Sequence, residues 1–231
     1  MDATSETLTD RLLDAALVHV AFDGWSDTTF RAAVDDAGIP LAQARAACPR
    51  GAVELAIAYH KRGDAAMVER LKGADLASMR IRDRIISAIR YRLEAVTDRE
   101  LVRRGTTLFS LPQHSGDGAR AIWGTADLIW DTLGDSSDDY NWYTKRATLS
   151  AVYSATVLYW LGDDSEDHRA TWEFLDRRIE NVMQFEKFKA DVNRSPVLKP
   201  LLAGPNWLLS HIKAPSADRM KGFPGWTAPR R

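Results

Sequence analysis

The sequence predicts an all-α protein. Apolar residues recur at intervals of three and four along most of the 231 residues, the period that gathers them on one face of a helix. Alternating runs of β-branched residues, the mark of strands, are absent. Short clusters of Gly, Pro, Ser and Asp separate the periodic stretches and mark the turns. A hydrophobic content of 45% is ample for a packed core.

Taken in order, Thr7 or Thr9 caps a first helix whose Leu12, Leu13, Ala16, Leu17 and Val20 share a face, and Gly24 ends it. A short helix from Thr29 to Ala37 follows, then a turn at Gly38-Ile39-Pro40 and another short helix from Leu41 to Ala47. Cys48-Pro49-Arg50-Gly51 breaks the chain before a longer helix from about Val53 to Lys72. Further helices are expected from Leu76 to Val96, Arg99 to Leu111, Gly118 to Leu133, Asp139 to Leu161 and Glu166 to Lys189. After Lys189 the chain turns basic, aromatic and Pro-punctuated. From Asp191 to Arg231, seven Lys/Arg stand against two Asp, so this tail is positive while the body carries the excess of acid.

Several function classes are disfavoured by composition. The formal net charge of −1 gives no whole-chain attraction to nucleic acid. A single cysteine, Cys48, leaves neither an internal disulfide nor a cysteine-rich metal site. The five histidines never fall at the i, i+4 spacing of two metal ligands on one helix face, and Asp163-Asp164-Ser165-Glu166-Asp167 lacks the glycine and spacing of a calcium loop, which leaves helix capping. Phosphate-binding Gly loops and nucleophile elbows are absent, so no catalysis and no cofactor is expected. The first ten residues carry no apolar leader core, and no run reaches the length of a membrane-spanning helix, so the chain is expected to start in the cytosol or to be in its mature form.

The first fifty residues have the layout of a helix-turn-helix. The order Leu13-Asp14-Ala15-Ala16, Gly24-Trp25, Ala37-Gly38-Ile39 resembles the N-terminal module of the TetR family of repressors, which continue into a helical ligand-binding and dimerising domain. The helix that would enter the major groove reads Leu41-Ala42-Gln43-Ala44-Arg45-Ala46-Ala47. Only Gln43, Arg45 and Arg50 there suit base or phosphate contacts, so a retained scaffold without DNA recognition is expected. Three regions result: a degenerate helix-turn-helix module at 1–50, a helical domain at 51–190, and a basic tail at 191–231.

The richest stretch runs from Asp138 to Arg146, Asp-Asp-Tyr-Asn-Trp-Tyr-Thr-Lys-Arg, at the start of a long apolar helix. Its acids suit an N-terminus, where a carboxylate accepts from free N–H groups. Trp142 and Arg146, four apart, share a face on which a guanidinium can stack on the indole. Taken alone, the pair reads as a core tryptophan beside a solvated arginine. The string Asn141-Trp142-Tyr143-Thr144-Lys145-Arg146-Ala147, then Leu149-Ser150-Ala151-Val152-Tyr153, closely resembles a family of ubiquinone biosynthesis accessory proteins; so does Thr171-Trp172-Glu173-Phe174-Leu175-Asp176-Arg177-Arg178. The resemblance spans about four fifths of the chain.

That resemblance implies a TetR-like fold without operator recognition, with 51–190 as a lipid-binding and dimerisation domain that forms a homodimer and holds an isoprenoid lipid or quinone intermediate in a pocket. It further implies a surface patch that docks a ubiquinone-biosynthesis hydroxylase, and a C-terminal amphipathic helix that engages the membrane surface, giving peripheral inner-membrane association in a bacterium. The patch falls on Asp139, Asn141, Trp142, Tyr143 and Arg146, with Trp142 exposed, and Lys145 stands where arginine is common. Trp, Tyr and Arg are the usual anchors of protein interfaces. Leu149, Val152, Tyr153 and Thr156 form a stripe that suits plain core, or in part a lipid pocket. In the tail, Leu198, Leu201, Leu202, Leu208, Leu209 and Ile212 share a face if helical, with Trp207 near its edge, as in helices that lie in a membrane interface. Pro200 and Gly204-Pro205 interrupt that helix, so short pieces are expected.

Overall fold

A computed structural model describes residues 7–194, and every described element is helical. They are α1 (Leu8–Asp23), α2 (Asp27–Asp36), α3 (Leu41–Ala47), α4 (Ala52–Lys72), α5 (Ile81–Glu94), α6 (Arg99–Ser110), α7 (Ser115–Thr132), α8 (Tyr140–Leu161) and α9 (Arg169–Arg194). Single 3-10 turns at Leu76–Ser78 and Glu166–His168 precede α5 and α9. The all-α expectation therefore holds, with differences confined to element ends.

Those differences have local causes. Ser26, not a later residue, caps α2 by accepting from the Thr29 N–H, so the helix starts two residues early. The expected helix from Leu76 begins at Ile81, behind the 3-10 turn. The expected start at Glu166 slips to Arg169, because Asp167 (φ 52°) and His168 (φ 55°) lie in the left-handed region, which interrupts a right-handed helix. Asp163 supplies the cap. Its carboxylate accepts from the Ser165 N–H (2.9 Å), the Thr171 N–H (2.8 Å) and the Thr171 hydroxyl (2.6 Å), so the acidic cluster there does cap a helix start. Burial opposes ionisation at Asp163, but the hydrogen bonds from Thr171 and Ser165 outweigh it and hold the carboxyl well below its usual range.

The described chain forms two compact units. The first comprises residues up to Glu69 together with Arg92–Ala121. Thr7 and Asp10 cap each other at the start of α1 in a capping box, and Gly24, at φ 65°, closes α1 by donating its N–H to Val20. Leu12, Leu13, Ala16 and Val20 pack on Phe30, Ala33 and Val34 of α2, and the same core takes in Ala44, Cys48, Leu55, Ala56 and Leu101. Each fully buried Leu or Phe contributes roughly 1.5–3 kcal/mol of transfer free energy. Trp25 joins this core and its indole N–H donates to the Leu101 carbonyl (3.1 Å). The unit thus outruns the expected boundary at residue 50: three short helices cannot cover their own apolar faces, and α4 and α6 complete the burial.

A buried polar group crosses this first unit. Arg92 donates from Nε to Asp64 (2.7 Å) and from Nη2 to the His60 carbonyl (3.0 Å). Gly63 lies against that guanidinium, where a Cβ would meet Arg92 Nη1 and Cζ. Burial lowers the pKa of His60, so its ring is neutral and Nε2–H donates to the Ala121 carbonyl (3.2 Å).

The second unit comprises residues 70–91 and those from Ile122 onward. Its core holds Ile85, Ala88 and Ile89 of α5, Ala126 and Ile129 of α7, Leu149, Val152, Tyr153, Trp160 and Leu161 of α8, and Leu175 and Ile179 of α9. The stripe Leu149, Val152, Tyr153, Thr156 is wholly buried, and the Thr156 hydroxyl is spent on the Val152 carbonyl (2.8 Å). Arg82 ties α5 to α9 through Asp176 (3.0 Å), and Arg90 lies over the Trp172 ring.

Candidate partner-docking site

The second unit gathers tryptophan, arginine and aspartate where α7, the loop after it and the first turns of α8 meet. Asp139 caps α8: one carboxylate oxygen accepts from the Asn141 N–H (2.8 Å) and the other from the Asn141 side-chain amide (2.8 Å). That start sets the phase of α8, placing Trp142 and Arg146 one turn apart on the same face. The guanidinium lies over the Trp142 ring with Cζ 4.0 Å from its centroid, the stacking their spacing predicts. Trp142 is flanked by Trp123 (centroids 6.0 Å apart) and meets Tyr143 edge-on (4.8 Å).

Arg146 differs most from expectation. Its sequence context points to a surface anchor, yet its side chain is 1% exposed. Its donors are consumed internally, Nε by Asp127, Nη2 by Asp131 (3.0 Å), and Nη1 by Asp135 (3.0 Å) and the Trp142 carbonyl (3.3 Å). The physical reason is the planar fork of the guanidinium, which can serve three carboxylates in fixed directions at once. Arg146 therefore offers no charge to a docking protein and acts as the fastener behind Trp142.

Its carboxylate partners escape a reading of the sequence alone. Asp127, Asp131 and Asp135 recur every four residues; the first two lie one turn apart on α7, and Asp135 follows in the loop just past Gly134 (φ 80°). That i, i+4, i+8 spacing is the available signal, but it points to no partner until the fold brings α8 alongside. Lys145 completes the group, donating to Asp135 (2.7 Å) and the Ser137 hydroxyl (2.7 Å) and lying over the Trp130 ring (5.2 Å). Three donors pointing in different directions suit this task, so a lysine is at home here.

The electrostatics follow from these bonds. Burial alone would raise the pKa of Asp135, but hydrogen bonds from Lys145, Ser137 and Arg146 bring it down to about 2. Asp131 moves the other way. Crowding by protein atoms and then the negative charge of Asp127 raise its pKa, against the pull of Arg146.

Of the expected patch residues, the fold brings Asn141 and Trp142 to half-buried positions and leaves Asp139 and Tyr143 exposed. Trp142 is thus neither core nor the fully accessible indole expected of a surface patch. Leu198, Leu201, Leu202, Trp207, Leu208, Leu209 and Ile212 lie outside the described residues. Among the described residues, no helix is long and apolar enough to cross a membrane.

In the first unit, the cations on and just after α3 are engaged by acidic and aromatic side chains. Arg45 pairs with Asp27 and lies over the Phe30 ring (4.5 Å), and Arg50 pairs with Asp117 (2.9 Å) and Glu54. The outward positions Leu41, Ala42, Gln43, Ala46 and Ala47 leave one amide as the only side chain on that face suited to a base edge.

An all-α chain with a helix-turn-helix layout and a helical second unit has a TetR-like fold, and the solved structure of a TetR transcriptional regulator from Nitrosomonas europaea superposes with a TM-score of 0.61 at 21% identity, over 74% of this chain and 95% of that one. Residues 116–186, which include the whole aromatic site, match the COQ9 family model. The chain is 30% identical to the mitochondrial ubiquinone biosynthesis protein COQ9 of Drosophila melanogaster over 80% of its own length and 58% of that protein's. It is also 30% identical to human COQ9, over 78% of its length and 59% of the relative's. The chain is therefore similar in sequence to the COQ9 proteins. It spans under two thirds of the length of these relatives.

Proposed function

We propose that this chain is a non-enzymatic accessory protein of ubiquinone biosynthesis. It binds a lipid, takes an isoprenoid quinone intermediate from the membrane, and presents it to a hydroxylase docked at Trp142 and Tyr143. The observation that carries this reading is the edge-on pair of Trp142 and Tyr143 on a rigid polar base, within the segment that matches the COQ9 model. A rigid aromatic anchor binds well because little rotamer freedom is lost on docking. The basic, leucine-bearing tail beyond residue 194 suits adsorption to an anionic membrane, and an apolar site lowers the cost of moving an isoprenoid chain out of the bilayer. Exposed Leu158 and Tyr159 on α8 and Met183 and Phe185 on α9 suit burial against a second copy, giving a homodimer.

The test is a pull-down of the ubiquinone-biosynthesis hydroxylase with the full chain, alongside lipid mass spectrometry of the purified protein. Trp142→Ala is expected to weaken hydroxylase capture roughly 30-fold, the loss typical of an interface anchor. Full capture by that variant refutes the docking site, and purified protein free of isoprenoid lipid refutes the carrier role. The fold likeness to a TetR regulator favours a second reading, ligand-responsive transcription control. Sequence-selective, salt-dependent gel shifts would establish it, against the internal pairing of Arg45 and Arg50.

A further inference from the structure

The aromatic site is electrically one-sided. Between Ala121 and Thr144 the chain carries five aspartates, at 127, 131, 135, 138 and 139, and no lysine or arginine. The two cations that follow are already committed. Arg146 is buried against three of those carboxylates and Lys145 holds Asp135. Asp139 is engaged in capping α8.

Asp131 is the member the internal network leaves least compensated. Its side chain is 57% exposed, against 2% for Asp135, and its bond from Arg146 Nη2 stands against the neighbouring negative charges of Asp127 and Asp135. Tyr143, also exposed, stands against the Trp142 ring on the same turn of α8 that carries Arg146's carbonyl partner.

Resting on the docking role proposed above, we propose that the hydroxylase presents a basic side chain, an arginine or lysine beside an apolar surface, which pairs with Asp131 while its apolar neighbours cover Trp142 and Tyr143. An anionic membrane and a nucleic acid are repelled by such a surface. A second copy of this chain, meeting the patch with the same patch, would bring five aspartates against five. A basic protein surface is the occupant that charge complementarity selects, and it supplies the third cation for the Asp127, Asp131, Asp135 set.

Binding of the purified hydroxylase to the full chain is measured by titration calorimetry at about 50 to 300 mM salt, with sedimentation to follow oligomeric state. Wild-type affinity is expected to fall as salt rises. Asp131→Asn, which keeps the side-chain volume and relieves repulsion inside the fold, is expected to bind roughly 10-fold more weakly and with a shallower salt dependence. Asp131→Lys is expected to bind far more weakly still, and to be rescued by reversing the charge of the matching basic residue of the hydroxylase. Wild-type affinity in both Asp131 variants, with binding lost in Trp142→Ala, overturns the charge pairing and leaves the docking site standing. Wild-type affinity in all three overturns the docking site itself. A change of oligomeric state with unchanged hydroxylase affinity assigns the patch to a second copy and overturns the proposal.

Discussion

Replacing Arg146 by alanine tests the view of this residue as an internal fastener. The guanidinium is 1% exposed and serves three carboxylates and the Trp142 carbonyl. Removing one partner of a buried ion pair typically costs about 3–5 kcal/mol, because the charge left behind is neither paired nor hydrated. Here Asp131 regains water readily and Asp135 keeps Lys145 and Ser137, which places the loss near the lower end. The stacking on Trp142 adds about 1 kcal/mol, for a total of about 4 kcal/mol. For a chain of this size that lowers Tm by about 8–16 °C, read by calorimetry or circular dichroism. The pH dependence gives a second readout. Without Arg146 the folded-state pKa of Asp131, already raised by burial and by the charge of Asp127, loses the pull of the guanidinium and rises further. A group raised in this way contributes stability below the unfolded pKa and loses it as pH rises through the folded one, so the gap from wild type widens between about pH 4 and pH 7. Arg146→Lys restores charge without the fork and is expected to recover less than half of the loss. A loss under about 1 kcal/mol at neutral pH, or a gap that does not change with pH, would refute the reasoning.

Asp135, with its folded pKa lowered to about 2, contributes stability that is present above its ordinary value of 3.8 and lost as pH falls through about 2. Asp135→Asn is expected to cost no more than about 2 kcal/mol at neutral pH and to flatten the acid limb of stability between about pH 4 and pH 2; an unchanged acid limb in denaturant melts refutes this. In the first unit, Gly63→Ala drives a Cβ into the Arg92 guanidinium, which Asp64 and the His60 carbonyl hold in place. A loss of about 2 kcal/mol in urea unfolding is expected, and a change within about 0.5 kcal/mol would show that Arg92 yields freely.

The helices are legible because each carries its own period and its own stops. Leu12, Leu13, Ala16 and Val20 announce the buried face of α1 whatever packs on it, and Thr7, Gly24 and Asp139 act on backbone groups within a few residues of themselves. The start of α9 is misplaced by its periodicity because Asp167 and His168 adopt a conformation that their residue types do not dictate. The site is half legible for a similar reason. The stacking of Arg146 on Trp142 is a contact across one helical turn and follows from spacing alone. Burial of Arg146 depends on Asp127, Asp131 and Asp135, which lie 11 to 19 residues away and outside α8. No local pattern in α8 reveals them.

A buried arginine among three aspartates is a poor way to gain stability, since apolar side chains of similar volume would avoid the desolvation of these charges. What the charged arrangement supplies is direction. Each guanidinium nitrogen of Arg146 has its own aspartate, the aspartates are spaced along α7 and the loop after it, and the ring of Trp142 is held beneath the guanidinium within that frame. An apolar replacement would leave the indole free to choose among rotamers, and a docking surface built on it would lose affinity to that freedom. A quadruple variant carrying Arg146→Met with Asp127→Asn, Asp131→Asn and Asp135→Asn therefore separates the two roles of the network. Loss of the whole charge set is expected to return its stability toward wild type, while hydroxylase binding stays weaker than in Asp131→Asn alone, the variant that removes only the outward charge. Binding equal to that of Asp131→Asn in the stable, uncharged variant would mean that Trp142 needs no fastener.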